Sequence, residues 1–169
     1  MSKAFTREDD TGEEPVLPRP VSVLPPGAKN YLTAHGAGVL RAELARLLET
    51  ERPPLVARMD DPDAKRELQV LDRRIQYLQQ SLRTAEVAMP PPPPHEVVRF
   101  GATVTVRERS GSLATYRIVG VDETEFGADN ISWLSPLARA LLNARFGERV
   151  VFKAPRGLTE LEIAGITYE

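Results

Sequence analysis

Five consecutive prolines, Pro90 to Pro94, most constrain how this chain can fold, because proline lacks a backbone N–H and fixes its own φ angle. Neither a helix nor a central strand continues through such a run. The run favours a polyproline II spacer of about 15 Å, at about 3.1 Å per residue, and a docking site for proline-reading modules is the other interpretation. We therefore predict a linker over residues 90–95 that separates two unlike segments.

The segment before the prolines has the periodicity of helices. Thr33 is the expected N-cap of a first helix, and Pro53 and Pro54 predict a kink or a restarted turn within it. The apolar stripe of the first helix comprises Leu40, Leu44, Leu47, Leu48, Leu55 and Met59. The stripe of the second steps by three and four through Leu68, Leu71, Ile75, Leu78, Leu82 and Ala85. Two such stripes predict an antiparallel helical hairpin over residues 29–89, an arm about 33 Å long.

After the prolines the apolar period changes to two, which is typical of strands. Alternating stretches surround Val104, Ile118 and Ile163, and one helix is expected to begin with Ser135 as N-cap and Pro136 as first helical residue. Residues 96–169 are thus predicted to form a small α+β domain, a twisted antiparallel sheet with one helix on it. Seven of the ten aromatic residues lie in this half, so we expect the main hydrophobic core there.

Composition excludes several classes of protein. The 22 Lys and Arg against 24 Asp and Glu give a net charge of −2, without the basic excess of proteins held by DNA phosphates. The absence of cysteine excludes disulfides and thiolate sites, and two histidines, His35 and His95, offer little for a metal site or a catalytic triad. Residues 1–28 mix acids, proline and glycine without apolar periodicity, which predicts a disordered tail. We expect a soluble cytoplasmic protein that is not an enzyme.

One stretch, Ile131 to Leu142 (ISWLSPLARALL), closely resembles the C-terminal domain of the Gre-type (GreA/GreB) bacterial transcription elongation factors. Further matching stretches are residues 33–47, 51–53, 72–78 and 116–120. The resemblance extends over roughly residues 29–169, and the Ser-Pro-x-x-Arg-Ala-Leu-Leu run is its most specific part. It implies an N-terminal antiparallel coiled coil and an FKBP-like C-terminal domain.

The resemblance also implies a partner, bacterial RNA polymerase. Family members dock the C-terminal domain on the rim of the polymerase's secondary channel and pass the coiled coil towards the catalytic centre. The docking contact falls on Ser135, Pro136 and Leu134, of which Leu134 stands where some relatives carry an acid. Trp133, next to them, is expected in the core. We expect a monomer that meets nucleic acid only through the polymerase complex and does not bind membranes.

The tip of the arm differs from the family pattern. Relatives that stimulate RNA cleavage carry Gly-Asp-x-x-Glu-Asn-Ala-(Glu/Asp)-Tyr there, whereas this chain has a shorter acidic turn with Asp60, Asp61 and Asp63. The resemblance implies that such acids help the polymerase to hold a second Mg²⁺, with Asp60 and Asp61 as shared ligands and no cofactor of the factor's own. The ordinary interpretation is structural: Asp61 caps a helix that begins at Pro62, and Asp63 lies in its first turn.

Alternatives to cleavage stimulation remain open from the sequence. A non-cleaving protein that occupies the channel, similar to the regulator of nucleoside diphosphate kinase, fits the short tip. A peptidyl-prolyl isomerase with a helical appendage and a generic coiled-coil scaffold are further interpretations. The arginines of the second helix form either a solvated face or a surface for acidic channel walls; they are Arg66, Arg73, Arg74 and Arg83.

Overall fold

The structure is a computed structural model that describes residues 24–155 and 157–169, so most of the predicted tail, residues 1–28, lies outside the described residues. The half before the prolines consists of β1 (Asn30–Thr33), α1 (Ala34–Arg46), a π-helical turn (Leu47–Glu51), α2 (Arg52–Ala57), α3 (Pro62–Thr84) and β2 (Ala85–Ala88). The half after them consists of β3 (Thr103–Glu108), β4 (Leu113–Val119), a 3₁₀ helix (Val121–Phe126), β5 (Asn130–Ser132), α4 (Pro136–Leu141), β6 (Arg149–Ala154) and β7 (Gly157–Thr167). Both helices and strands are present, which confirms the α+β class.

The first half is an arm in which α1 and α2 pack along α3. Predicted seam positions of α3 are buried on one face; they are Leu68, Leu71, Ile75 and Leu78. Leu40, Leu47 and Leu55 oppose them from the other side. Ala85 belongs to β2 rather than to the helix. These residues form a narrow apolar seam, as expected where only two helical layers meet.

The π-helical turn changes which residues of the first predicted apolar stripe are buried. The backbone N–H of Arg52 donates to the carbonyl of Leu47, five residues earlier, and Pro53 follows in the first turn of α2. A proline ring clashes with the carbonyl four residues before it, and a wider turn relieves that clash. The helix restarts at the prolines as predicted. The extra residue rotates the helix face and leaves Leu48 39% exposed, while Met59 lies in the turn beyond the end of α2 and is 41% exposed.

Two short strands, which were not predicted from the sequence, close the base of the arm. β1 pairs with β2 in parallel, with Asn30 opposite Ala85 and Thr33 opposite Ala88. Parallel pairing requires a long crossover, and the arm itself provides it. The Asn30 side chain donates to the carbonyl of Ser81 at 3.0 Å and so joins β1 to the last turn of α3. The base of the arm is therefore a defined structure.

The second half is a five-stranded sheet in the order β5-β4-β3-β7-β6. Its pairs are antiparallel as predicted, except that β5 runs parallel to β4, so the prediction of a wholly antiparallel sheet is wrong at this edge. The segment with the 3₁₀ helix between β4 and β5 brings the chain back beside Arg117, so that β5 runs in the same direction as the last residues of β4. α4 packs against β5 and β6.

A second hydrophobic core lies between this sheet and α4. Its fully buried members include Val98, Val104, Ile118, Leu141 and Ile163. The core expected in this half is present, and the arm has a separate one. Residues 89–96, which contain the five prolines, form neither helix nor strand and connect the two halves. Within the described ranges no helix is long and apolar enough to cross a membrane.

Candidate functional site

The acidic turn lies at the end of the arm opposite its base. α1 begins directly after β1 and α3 ends directly before β2, so the connection between α2 and α3 is the distal tip. The turn is closed by the backbone N–H of Asp61, which donates to the carbonyl of Arg58 at 3.0 Å. Asp60, Asp61 and Asp63 are all exposed there. The structure thus brings the three predicted tip acids together on one turn.

The capping interpretation of these acids is confirmed. One oxygen of Asp61, Oδ1, accepts from the backbone N–H of Asp63 at 3.0 Å, and Pro62 is the first residue of α3. Asp63 pairs with Arg66 at 3.2 Å, an ion pair that is almost fully exposed and therefore weak. Asp60 makes no hydrogen bond or ion pair with any described residue. The three carboxylates thus have three different environments.

The tip does not form a complete metal site by itself. Within residues 24–155 and 157–169 no group of three or more His, Cys, Asp or Glu could hold a metal ion. Carboxylate oxygens are nevertheless the ligands that Mg²⁺ prefers, and it commonly takes one or two of them with water and partner oxygens. Asp60 and the remaining oxygen of Asp61 fit such a shared role. Asp63 fits it less well because it is already paired.

The predicted docking residues form a tight turn at the start of α4. The hydroxyl of Ser135 accepts from the backbone N–H of Ala138 at 3.1 Å, and Pro136 takes the first helical position, as predicted. The backbone N–H of Leu134 donates to the Ser132 hydroxyl at 3.2 Å, which folds the preceding residues into the turn. Pro136 is exposed, while Leu134 and Ser135 are half-buried. These residues belong to the sheet domain and are not close to the tip acids.

A third cluster, at the contact between arm and sheet domain, was missed by the sequence analysis. Glu123 of the 3₁₀ helix is only 1% exposed. Its carboxylate accepts from the backbone N–H groups of Thr33 at 3.0 Å and Gly120 at 2.9 Å, and from the Thr33 hydroxyl. The Thr33 hydroxyl in turn accepts from the N–H of Gly36 at 3.0 Å and caps α1. Gly36, a glycine within a helix, and Gly120, next to the end of β4, were the signs of a close approach that the sequence offered.

The adjacent carboxylate, Asp122, contacts the other helix of the arm. It accepts hydrogen bonds from the hydroxyl groups of Tyr77 and Ser81, both on α3. Burial, together with the hydrogen bond and the negative charge of Asp122, raises the pKa of Tyr77 above its ordinary value. Tyr77 therefore remains a neutral donor to Asp122 throughout the neutral pH range.

Aromatic rings complete this contact between the halves. Tyr31 of β1 lies 5.5 Å from Phe100 and 5.3 Å from Trp133 between ring centroids, the latter edge-on at 74°. Trp133 also packs against the core of the sheet domain, as predicted. It is the single tryptophan of the chain, so its fluorescence reports on both its own core and the docked arm.

Arg74 of α3 and Arg52 of α2 bind the helices of the arm to each other. Arg74 forms two parallel hydrogen bonds with Glu43 of α1, at 2.8 and 2.9 Å. Asp72 of α3 similarly receives a 2.8 Å hydrogen bond from Arg52 of α2. Both pairs are partly solvated, so each contributes modestly, and the two parallel bonds of the Arg74 pair add orientation to how α1 and α3 face each other. All four arginines of the predicted basic surface are exposed, which agrees with a solvated face, and a surface for acidic channel walls stays a prediction; they are Arg66, Arg73, Arg74 and Arg83.

Comparison with known proteins decides the family. A transcription elongation factor GreB of Neisseria meningitidis is 38% identical over 154 residues, which cover 83% of this chain and 94% of the relative. A GreA of Legionella pneumophila is 35% identical over 156 residues, 83% of this chain and 98% of the relative. This chain belongs to the GreA/GreB family of transcription elongation factors. The resemblance recognised in the sequence is confirmed.

A family model of the C-terminal domain gives the same family. Residues 93–168 match the family described as transcription elongation factor, GreA/GreB, C-term, so the sheet domain and the α4 turn are the Gre C-terminal domain. A solved Gre relative, the GreA/GreB factor from Nitrosomonas europaea, is 24% identical, covers 83% of this chain and all of its own length, and gives a TM-score of 0.41. The GreA factor homolog 1 (Gfh1) of Thermus thermophilus is 26% identical, with 83% and 99% coverage and a TM-score of 0.39.

Proposed function

We propose that this Gre-family chain binds RNA polymerase through its C-terminal domain and passes the arm down the secondary channel to stimulate cleavage of the RNA in backtracked complexes. The observation that carries this proposal is the exposed acidic turn at the far end of a helical arm. α3 alone has 23 residues, which corresponds to about 34 Å of helix at 1.5 Å per residue. A rod of that length can present Asp60 and Asp61 well away from the domain that docks.

The proposed domain roles follow from the same architecture. We assign residues 29–89 as a coiled-coil hairpin, residues 90–95 as the linker and residues 96–169 as an FKBP-like docking domain. The turn of Leu134, Ser135 and Pro136 is the proposed contact with the channel rim, because it exposes a rigid, capped helix start. Bacterial RNA polymerase is the proposed partner, and nucleic acid is reached only through it.

At the catalytic centre the tip supplies oxygen ligands. A Mg²⁺ shared with the polymerase would activate water for attack on the RNA phosphodiester. Asp60, which makes no hydrogen bond or ion pair within the described ranges, and the second oxygen of Asp61 are the ligands this chain contributes. The N-cap fixes Asp61 at the start of α3, so the carboxylate reaches the centre already oriented. The chain supplies this charge and its placement; the polymerase performs the reaction.

A second candidate function is occupation of the channel without cleavage. The observation that favours it is the state of the tip acids, since Asp61 is engaged as a cap and Asp63 pairs with Arg66. Among the described tip acids this leaves the carboxylate of Asp60 alone without a hydrogen bond or ion pair, the low end of the one or two carboxylates that Mg²⁺ commonly takes from a protein. A factor of this kind would exclude longer relatives from the channel rather than activate the polymerase.

The experiment is a cleavage assay on a backtracked elongation complex, with polymerase binding measured separately. We expect the chain to shorten the RNA and Asp60→Asn to abolish this without weakening binding. Asp63→Asn is the matched control, because it makes the same replacement of one carboxylate oxygen by an amide group at a neighbouring acid that is already paired. Binding with unchanged RNA would support the second candidate. Failure to bind polymerase at high concentration would overturn both.

A further inference from the structure

We propose that Asp122 and Glu123 are positioning residues, a two-carboxylate clamp that holds both helices of the arm against the C-terminal domain and sets the direction in which the tip is presented. The consequence at the polymerase depends on the proposed function above. The clamp itself is a property of the isolated chain and can be tested without polymerase.

The first half of the clamp acts on the start of α1. The first turn of a helix has unpaired N–H groups and a partial positive charge, which an acidic side chain normally satisfies. Among the described residues of that turn, 34–37, no acid is present. Glu123, from the other half of the chain, supplies the negative charge and binds both the N–H and the hydroxyl of Thr33. The N-terminus of α1 is thus completed only when the domain is docked.

The second half of the clamp acts on the end of α3. Tyr77 and Ser81 are four residues apart and therefore lie on the same face of the helix. Both hydroxyl groups donate to the carboxylate of Asp122. Because Asp122 and Glu123 are neighbours on one 3₁₀ helix, the two helices of the arm are held by a single rigid element.

The halves approach each other too closely for a side chain at Gly36 or Gly120. A Cβ atom built on Gly36 would lie 1.9 Å from Oε1 of Glu123, and one on Gly120 would lie 2.2 Å from the carbonyl oxygen of Tyr31. Such distances are far below van der Waals contact. Both glycines are therefore required by the close approach of the halves rather than by local backbone conformation.

Glu123 is an unusual choice for a contact that served stability alone. It is buried without a cationic partner among the described residues, and its charge is balanced only by hydrogen bonds and the helix terminus. Burying a carboxylate in this way is costly, and apolar packing would serve stability as well. The hydrogen bonds add a fixed orientation of the arm relative to the C-terminal domain, because each donor must point at the carboxylate. Residues 89–96, which join the halves, contain no helix or strand that could fix this orientation.

The test compares Gly36→Ala with Gly38→Ala. Both add one methyl group to α1, but at Gly38 nothing lies within 4 Å, whereas at Gly36 the methyl displaces Glu123. The chain has no cysteine, so spin labels at Lys65→Cys on the arm and Val151→Cys on β6 report the distance between the halves without background. Glu123→Gln, which keeps the shape and removes the charge, is the second variant.

We expect one narrow distance distribution in the parent and in Gly38→Ala, and a shifted or broadened one in Gly36→Ala and Glu123→Gln, with helix content unchanged by circular dichroism. Unchanged distributions in both latter variants would overturn the clamp. On the polymerase, Gly36→Ala should bind like the parent and stimulate cleavage about tenfold to a hundredfold less. Equal cleavage despite a broadened distribution would overturn the positioning role. If the parent protein binds polymerase but does not stimulate cleavage, the proposed function is contradicted. The distance measurement would then still show whether the clamp holds the arm in one orientation.

Discussion

The carboxylate of Glu123 accepts a 3.0 Å hydrogen bond from the backbone N–H of Thr33, which lies 90 residues earlier in the chain. This bond connects a capping residue of the arm with a residue of the C-terminal domain. Since the carboxylate also binds the Thr33 hydroxyl, and that hydroxyl caps α1, the helix and the domain are stabilised by one shared network. Changes at Glu123 should therefore affect the stability of the whole chain.

Glu123→Ala should lower the free energy of unfolding by about 1–3 kcal/mol, because it leaves the buried N–H groups of Thr33 and Gly120 without an acceptor. Glu125→Ala is the matched control on the same 3₁₀ helix, since Glu125 is exposed. Urea unfolding followed by Trp133 fluorescence measures both. Equal stability of the two variants would show that the network contributes nothing net.

The alkaline limit of stability should depend on Tyr77. Its pKa in the folded chain is raised, first by burial and then by Asp122, so folding stabilises the protonated phenol. The contribution is fully present below the ordinary tyrosine pKa of about 10 and is lost as the pH rises above it, because the unfolded chain releases the proton first. The free energy of unfolding should fall above about pH 10, and less steeply in Tyr77→Phe. Urea titrations between about pH 9 and 11 test this, and parallel curves for the two proteins would contradict it.

The tip acids should separate into structural and free residues. Asp61→Ala removes the N-cap of α3 and should cost about 0.5–2 kcal/mol of stability, whereas Asp61→Asn retains a capping oxygen and should cost little. Asp60→Ala should be close to neutral, because the Asp60 side chain is exposed and makes no hydrogen bond or ion pair with a described residue. Thermal or urea unfolding of the three variants gives the comparison. A stability loss in Asp60→Ala as large as in Asp61→Ala would contradict this assignment of roles.

Features with a local cause could be predicted from the sequence. The caps at Thr33, Asp61 and Ser135 depend on residues within one helical turn, and each lies where the pattern placed it. The helical period of α3 and the alternation of β3 were also visible, because long elements repeat their pattern several times.

Features that depend on distant partners could not be predicted. β1 has four residues and β5 has three, too few to reveal a period. The parallel pairing of β1 with β2, and of β5 with β4, depends on the path of the chain between the paired strands. In the sequence Glu123 cannot be distinguished from a surface acid, because its hydrogen-bond partner Thr33 lies 90 residues earlier in the chain. The π-helical turn changed the exposed face after Leu47 because the period itself changed there. The contact between the halves, and with it the direction of the arm, could therefore be recognised only in the structure.

Truncation to alanine should destabilise the arm at Leu78 and have little effect at Val70, although both are apolar residues of α3. Leu78 is fully buried, so Leu78→Ala removes buried surface and leaves a cavity, at a cost of about 2–5 kcal/mol. Val70 is 66% exposed, so Val70→Ala should change the free energy of unfolding by less than about 0.5 kcal/mol, since alanine also favours the helix. Urea unfolding followed by circular dichroism at 222 nm measures both.

The same pair of variants tests whether the two cores unfold together. The clamp joins the arm to the sheet domain, so we expect Leu78→Ala to shift the helical signal and the Trp133 signal to one lower midpoint. If the arm were coupled only through residues 89–96, the helical signal alone would move and the Trp133 midpoint would stay with the sheet core. Val70→Ala should leave both midpoints in place. Two separated transitions in Leu78→Ala would show that the junction is too weak to hold the arm.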